Sequence, residues 1–123
     1  MLPLAVPVPN VHGAVVPLLK SAVPDFERSD EYLLIAKHED LPGVVLAAFA
    51  GFLIRMSADA SALGTVEVGI GAINAIYETD DAQVREAIRD EFIERFDGEP
   101  AAVRAVQPFL IHPLAAEFAT ILG

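Results

Sequence analysis

Between residues 41 and 54 the chain carries no charged residue, and Arg55 ends the run. The stretch is apolar all round, from Val44 and Val45 through Phe49, Phe52, Leu53 and Ile54. It falls short of the ~20 residues that a helix needs to cross a bilayer. A helix without a polar face must be enclosed by others. The segment therefore predicts the central helix of an all-α domain. Its start is signalled by Asp40-Leu41-Pro42: Asp40 can accept an N–H bond as a cap, and Pro42 loses no helical donor in the first turn. Gly43, Ala47 and Gly51 recur every four residues and leave one side with almost no side-chain bulk. A neighbouring helix is expected to approach closely there.

The 123 residues make one domain, large enough to bury its own core. Residues 1–9 read as a proline-rich N-terminal arm, broken by Pro3, Pro7 and Pro9. With no basic residue among them and three helix breakers, they do not read as a signal peptide. Asn10 is placed to cap a first helix reaching about Val23, with Pro17 inside it and Pro24 beyond its end. Ser29 precedes Asp30, Glu31 and Tyr32, the pattern of a short capped helix with its acids at the positive end. Asp59 or Ser61 opens the next helix, on which Val66, Ile70, Ile73 and Tyr77 share a face. Residues 65–70 are also β-branched enough for an isolated strand, but no partner strand is evident.

Asp80 followed by Gln83 resembles a capping box. The helix it opens carries Val84, Ala87, Ile88, Glu91, Phe92 and Phe96 on one stripe, with Glu91 as the odd member, and Gly98 stops it. Glu99-Pro100 restarts a helix to about Leu110, and Pro113 opens a last one to about Leu122. The sum is five to seven short antiparallel helices, as a HEAT-like stack or an irregular bundle.

Charge narrows the partners. Eighteen acidic residues against eight basic ones give a net charge of −10. A phosphate-binding surface needs clustered Lys and Arg, so nucleic acid is not an expected partner. Anionic lipid headgroups are repelled, so no membrane partner is expected either. Cysteine is absent, which removes disulfides, thiolate metal sites and a cysteine nucleophile, and fits a reducing, cytoplasmic setting. Glu78, Asp80 and Asp81 stand before the amphipathic helix. Glu86, Asp90 and Glu94 then recur at four-residue spacing and form an exposed acidic ridge. Such a surface either keeps an apolar-rich protein soluble or docks a basic protein.

Little else carries chemistry. His38-Glu39-Asp40 gathers three possible ligands, but adjacent residues point apart unless a loop converges them. His12 and His112 lie at opposite ends of the chain. Gly69-Ile70-Gly71 lacks the third glycine of a nucleotide loop, since Asn74 stands there, and close helix packing explains it better. No catalytic triad order, phosphate loop or HExxH is present. No catalytic, cofactor or metal residue is assigned.

The middle and end of the chain resemble a family of small bacterial helical domains of unknown function. The matching positions are Leu41-Pro42-x-Val44, Phe49-x-x-Phe52-Leu53, Ile73 through Tyr77, Asp80-Asp81-x-x-Val84 and Phe92-Ile93-Glu94-x-Phe96. A Gly-Pro turn closes that family, where this chain has His112-Pro113. Domains of this kind are similar to immunity proteins of bacterial polymorphic toxins. The resemblance implies a non-enzymatic protein-binding module that masks a basic toxin surface. The alternatives are a small enzyme or ligand-binding domain with its site near His38 and Glu39, and a structural homodimer.

Overall fold

The computed structural model describes residues 11–122, and side chains from Gly13 onward. The arm expected at residues 1–9, the Asn10 cap and the His12 side chain lie outside the described residues. Seven α-helices run through the rest: α1 (Val11–Ala22), α2 (Asp30–Ile35), α3 (Pro42–Ser57), α4 (Leu63–Glu78), α5 (Ala82–Ala87), α6 (Pro100–Val106) and α7 (Leu114–Leu122). Short 3-10 turns join several of them, and no strand occurs among the described residues. The fold is all-α. Residues 65–70, the rival strand, are helical.

The charge-free segment is the central helix. α3 packs against α1, α2, α4, α5, α6 and the turns at residues 88–96. In a stacked array each unit touches only its neighbours, so this hub-like arrangement is an irregular bundle. Val45, Leu46, Phe49, Ala50 and Leu53 are fully buried on α3. A file of aromatic rings runs through the interior. Phe26 stands edge-on to Tyr32 at 5.4 Å and to Phe49 at 4.9 Å. Phe92 continues the file from Phe49 at 6.3 Å, and Phe96 meets Phe118 at 5.5 Å. Offset and edge-to-face contacts of this kind add to simple area burial.

Several helix boundaries follow local chemistry. The Ser29 hydroxyl accepts from the Tyr32 amide at 3.2 Å and caps α2 as expected. Asp59 accepts from the Ser61 amide at 3.0 Å and leads through a 3-10 turn into α4. Gly98 has φ +81°, the left-handed conformation that ends the preceding turn without a Cβ penalty. Two expected caps are shifted by one residue. Pro42 occupies the first helical position of α3, which makes Leu41 the cap and leaves Asp40 outside with no capping bond. Asp80 takes φ 61° just past the end of α4, a conformation that Asp tolerates better than most residues. Asp81 is therefore the cap of α5, accepting from the Val84 amide at 3.0 Å, and the Asp80–Gln83 box does not form.

The close helix approach is not where the small residues of α3 predict it. A Cβ on Gly51 would meet only the Glu31 Cγ at 3.8 Å, and one on Gly43 would meet the Glu91 Cγ at 3.3 Å. Two glutamate stems, rather than a helix backbone, lie over that side. The tight crossing is α3 against α4, where a Cβ on Gly69 would stand 2.8 Å from Leu53 Cδ2 and 3.2 Å from Phe49 Cζ. The close-packing explanation of Gly69 holds, whereas Gly71 faces open space. Among the described residues one apolar helical run, Ala60–Glu78, is long and apolar enough to cross a membrane. Its Val66, Ile70, Ile73, Ile76 and Tyr77 are buried in the core, and it packs on α1 and α3 as a core helix does.

Candidate functional site

The helix expected from Asp80 to about Asp97 is broken into three kinds of turn. α5 stops at Ala87, residues 88–92 form a π-turn, and residues 93–96 form a 3-10 turn. The apolar stripe explains the change. Val84, Ile88, Phe92 and Phe96 recur every four residues, which drifts around an α-helix of 3.6 residues per turn. A wider turn absorbs the drift, and all four side chains are buried together with Ile93. Glu91, which an α-helix would place in the stripe, is instead half-buried at its margin beside Gly43.

The same geometry sorts the charges of this segment. Arg85 turns inward: its Nε donates to the Tyr77 carbonyl at 2.8 Å, and its guanidinium lies 4.4 Å from the Tyr77 ring. The Tyr77 hydroxyl donates to Glu117 Oε1 at 2.6 Å. Burial, and then that carboxylate, push the Tyr77 hydroxyl pKa up, while Arg89 beside the hydroxyl pulls the other way. Two cations of the segment are thus committed to the protein's own interior edge. Glu78, Glu86, Asp90 and Glu94 are exposed and have no ion pair among the described residues. Asp80 is exposed too, but it stands 3.3 Å from Arg85 Nη1, and Asp81 is occupied by its capping bond. Glu86, Asp90 and Glu94 sit on three different turn types, so they form an exposed acidic band rather than one straight α-helical row.

A second charged cluster lies across α1 and α2. Lys20 Nζ is 3.1 Å from Glu39 Oε2 and 3.3 Å from Glu27 Oε2, and it stands 5.4 Å from the Tyr32 ring centre. The Tyr32 hydroxyl also donates to Glu39. Tyr32 and then Lys20 hold the Glu39 carboxyl below the usual carboxylate range, and Glu39 in turn raises the Lys20 ammonium and the Tyr32 hydroxyl. An open groove of about 490 Å³ adjoins this cluster, walled by Val16, Pro17 and Pro42. Sequence reasoning placed Glu39 with His38 and Asp40. The fold instead spends Glu39 on Lys20, 19 residues away, and leaves His38 exposed in a 3-10 turn. No group of three or more His, Asp or Glu among the described residues is arranged to hold a metal ion.

Two further features had little signal in the sequence. Asn74 is buried and grips the segment before α7, donating to the Phe109 carbonyl at 2.9 Å and accepting from the Ile111 amide at 3.3 Å. On the small side of α3, α2 and the π-turn leave a groove of about 330 Å³ floored by Val44, Ala47, Ala48 and Gly51. Leu34 stands beside it at 84% exposure. No family model, curated protein or solved structure matches this chain.

Proposed function

We propose that this domain is a protein-binding module of the cytoplasm, acting as an immunity or inhibitor protein whose acidic band covers a basic surface of a toxin. The observation that carries the reading is the division of charge in residues 78–94. Arg85 and Arg89 face Tyr77, while Glu78, Glu86, Asp90 and Glu94 are left in water with no ion pair among the described residues. An acidic band whose Arg85 and Arg89 turn toward Tyr77 presents a negative potential to an approaching protein. Such a potential chiefly raises the association rate and rejects wrong partners. Asp80 and Asp81 shape the turn and add to the field, but they are not free contact groups. The resemblance to small bacterial helical domains supports the same reading, and no residue is asked to perform chemistry.

The test is a triple variant, Glu86→Lys, Asp90→Lys and Glu94→Lys, offered to the partner that co-purifies with the parent. The variant should fold normally and lose binding through slower association. Binding at the parental rate would overturn the reading.

A further inference from the structure

We propose that the groove on the small side of α3 is the contact face of a symmetric homodimer, with Leu34 of each copy seated in the groove of the other. The projecting leucine belongs to α2. This helix is only six residues long, and it presents Leu33 at 61% and Leu34 at 84% exposure side by side. Single exposed leucines are ordinary, but Leu34 stands on the edge of an apolar groove and extends its apolar surface. The groove floor is made of Val44, Ala47, Ala48 and Gly51. No helix among the described residues fills it: a Cβ at Gly51 would touch only the stem of Glu31. The face thus carries both a projecting leucine and a recess built from small side chains.

The charges at its rim have the same doubled character. Glu91 and Arg95 both line the groove. Glu before Arg at four-residue spacing pairs readily on an α-helix. Here the chain passes from a π-turn to a 3-10 turn between them. Neither has an ion pair among the described residues. Glu31, the other carboxylate of the groove, is already held by two bonds from Arg55 at 2.8 and 2.9 Å. The rim therefore offers one unpaired anion and one unpaired cation, and is locally balanced within a chain of net charge −10. A two-fold contact is isologous, so a face serves it when knob and recess, anion and cation, lie on the same surface. This face does. The second copy is the occupant that both the shape and the charge pattern fit, with Glu91 of one protomer meeting Arg95 of its partner.

Sedimentation velocity on the full chain tests the assignment. The parent should pass from monomer to dimer between about 5 and 300 µM, the weak range expected of a small contact. Leu34→Asp should remain monomeric throughout, with the parental circular dichroism and melting curve. Glu91→Arg and Arg95→Glu should each weaken the dimer by about tenfold or more, because each sets like charges face to face. The double exchange, Glu91→Arg with Arg95→Glu, should restore the dimer to within about threefold of the parent, since it rebuilds the pair with signs reversed. Because Glu91 is half-buried, Leu34→Asp and Arg95→Glu decide the matter if Glu91→Arg does not fold. A parent that stays monomeric overturns the proposal, as does a dimer indifferent to Leu34→Asp, or a folded double exchange no stronger than the weaker single variant. The acidic band is unaltered in all these variants, so failure here leaves the toxin-masking reading standing on its own test.

Discussion

The two charged regions of this protein use similar residues to opposite ends. Around Lys20, one ammonium serves Glu27 and Glu39, and Tyr32 adds its hydroxyl to Glu39. Every charge there has a partner within the chain, and the cluster ties α1 to the turns on either side of α2. Along residues 78–94 Arg85 also serves the chain itself, but it does so chiefly at Tyr77, with Asp80 beside it, and leaves Glu78, Glu86, Asp90 and Glu94 without an ion pair among the described residues. The first arrangement is closed and stabilises the fold. The second leaves a net field facing water, at a small cost in mutual repulsion. Charge count alone does not distinguish them; the direction in which the cations turn does.

That contrast can be broken by substitution. The largest effect is expected at Arg85, whose side chain is only 25% exposed. Arg85→Ala removes a bond to the Tyr77 carbonyl, the stacking on its ring and the Asp80 pair. The expected destabilisation is about 2 kcal/mol, from a charged hydrogen bond together with a cation–π contact. Urea unfolding measures it, and a loss within experimental error would mean that Arg85 is not committed inward.

Tyr32→Phe is expected to cost less, roughly 0.5 kcal/mol, because the ring keeps its packing on Phe26 and only a part-buried hydroxyl bond to the exposed Glu39 is lost. The same unfolding experiment checks it. A cost above that of Arg85→Ala would show the Lys20 cluster to be the stronger of the two.

The smallest effect is a slope. Two bonds from the Arg55 guanidinium hold the Glu31 carboxyl below its ordinary value of 4.5. A carboxyl whose folded pKa is depressed contributes stability that is fully present above its unfolded value and is lost as pH falls through the folded one. Stability should therefore decline below pH 4.5 in the parent, and the decline should be shallower in Glu31→Gln. Equal slopes would show that the Glu31–Arg55 pair does not persist in solution.

Much of this fold is legible in the sequence because it rests on local chemistry. The uncharged run of α3, the Ser29 cap and the Gly98 stop each depend on residues contiguous in the sequence. The Asp80 cap is displaced for an equally local reason: a left-handed residue was needed to leave α4, and Asp80 supplies it. What is not legible is what distant elements impose. The four-residue stripe from Val84 to Phe96 looks helical by itself, and only packing of residues 88–92 against α3 makes a wider turn worthwhile. The pairing of Glu39 with Lys20 spans 19 residues and has no local signature. Likewise the small side of α3 announces room but not its occupant, and the two glutamates over Gly43 and Gly51 come from elsewhere in the chain. The acidic residues of the candidate surface could be named in advance. Which of them are unpaired could not, because that depends on the inward turn of Arg85 and Arg89.

The most direct measurement of the central claim is the association rate with the co-purified partner, followed by stopped flow at low and high salt for the parent and the Glu86→Lys, Asp90→Lys, Glu94→Lys variant. At about 0.01 M ionic strength the field reaches roughly 30 Å, and at 0.15 M only about 8 Å. The parental rate should fall steeply over that range, while the dissociation rate changes little, and the variant should associate more slowly at low salt. A partner that associates with parent and variant at the same rate, whatever the salt, would contradict a docking role for the acidic band.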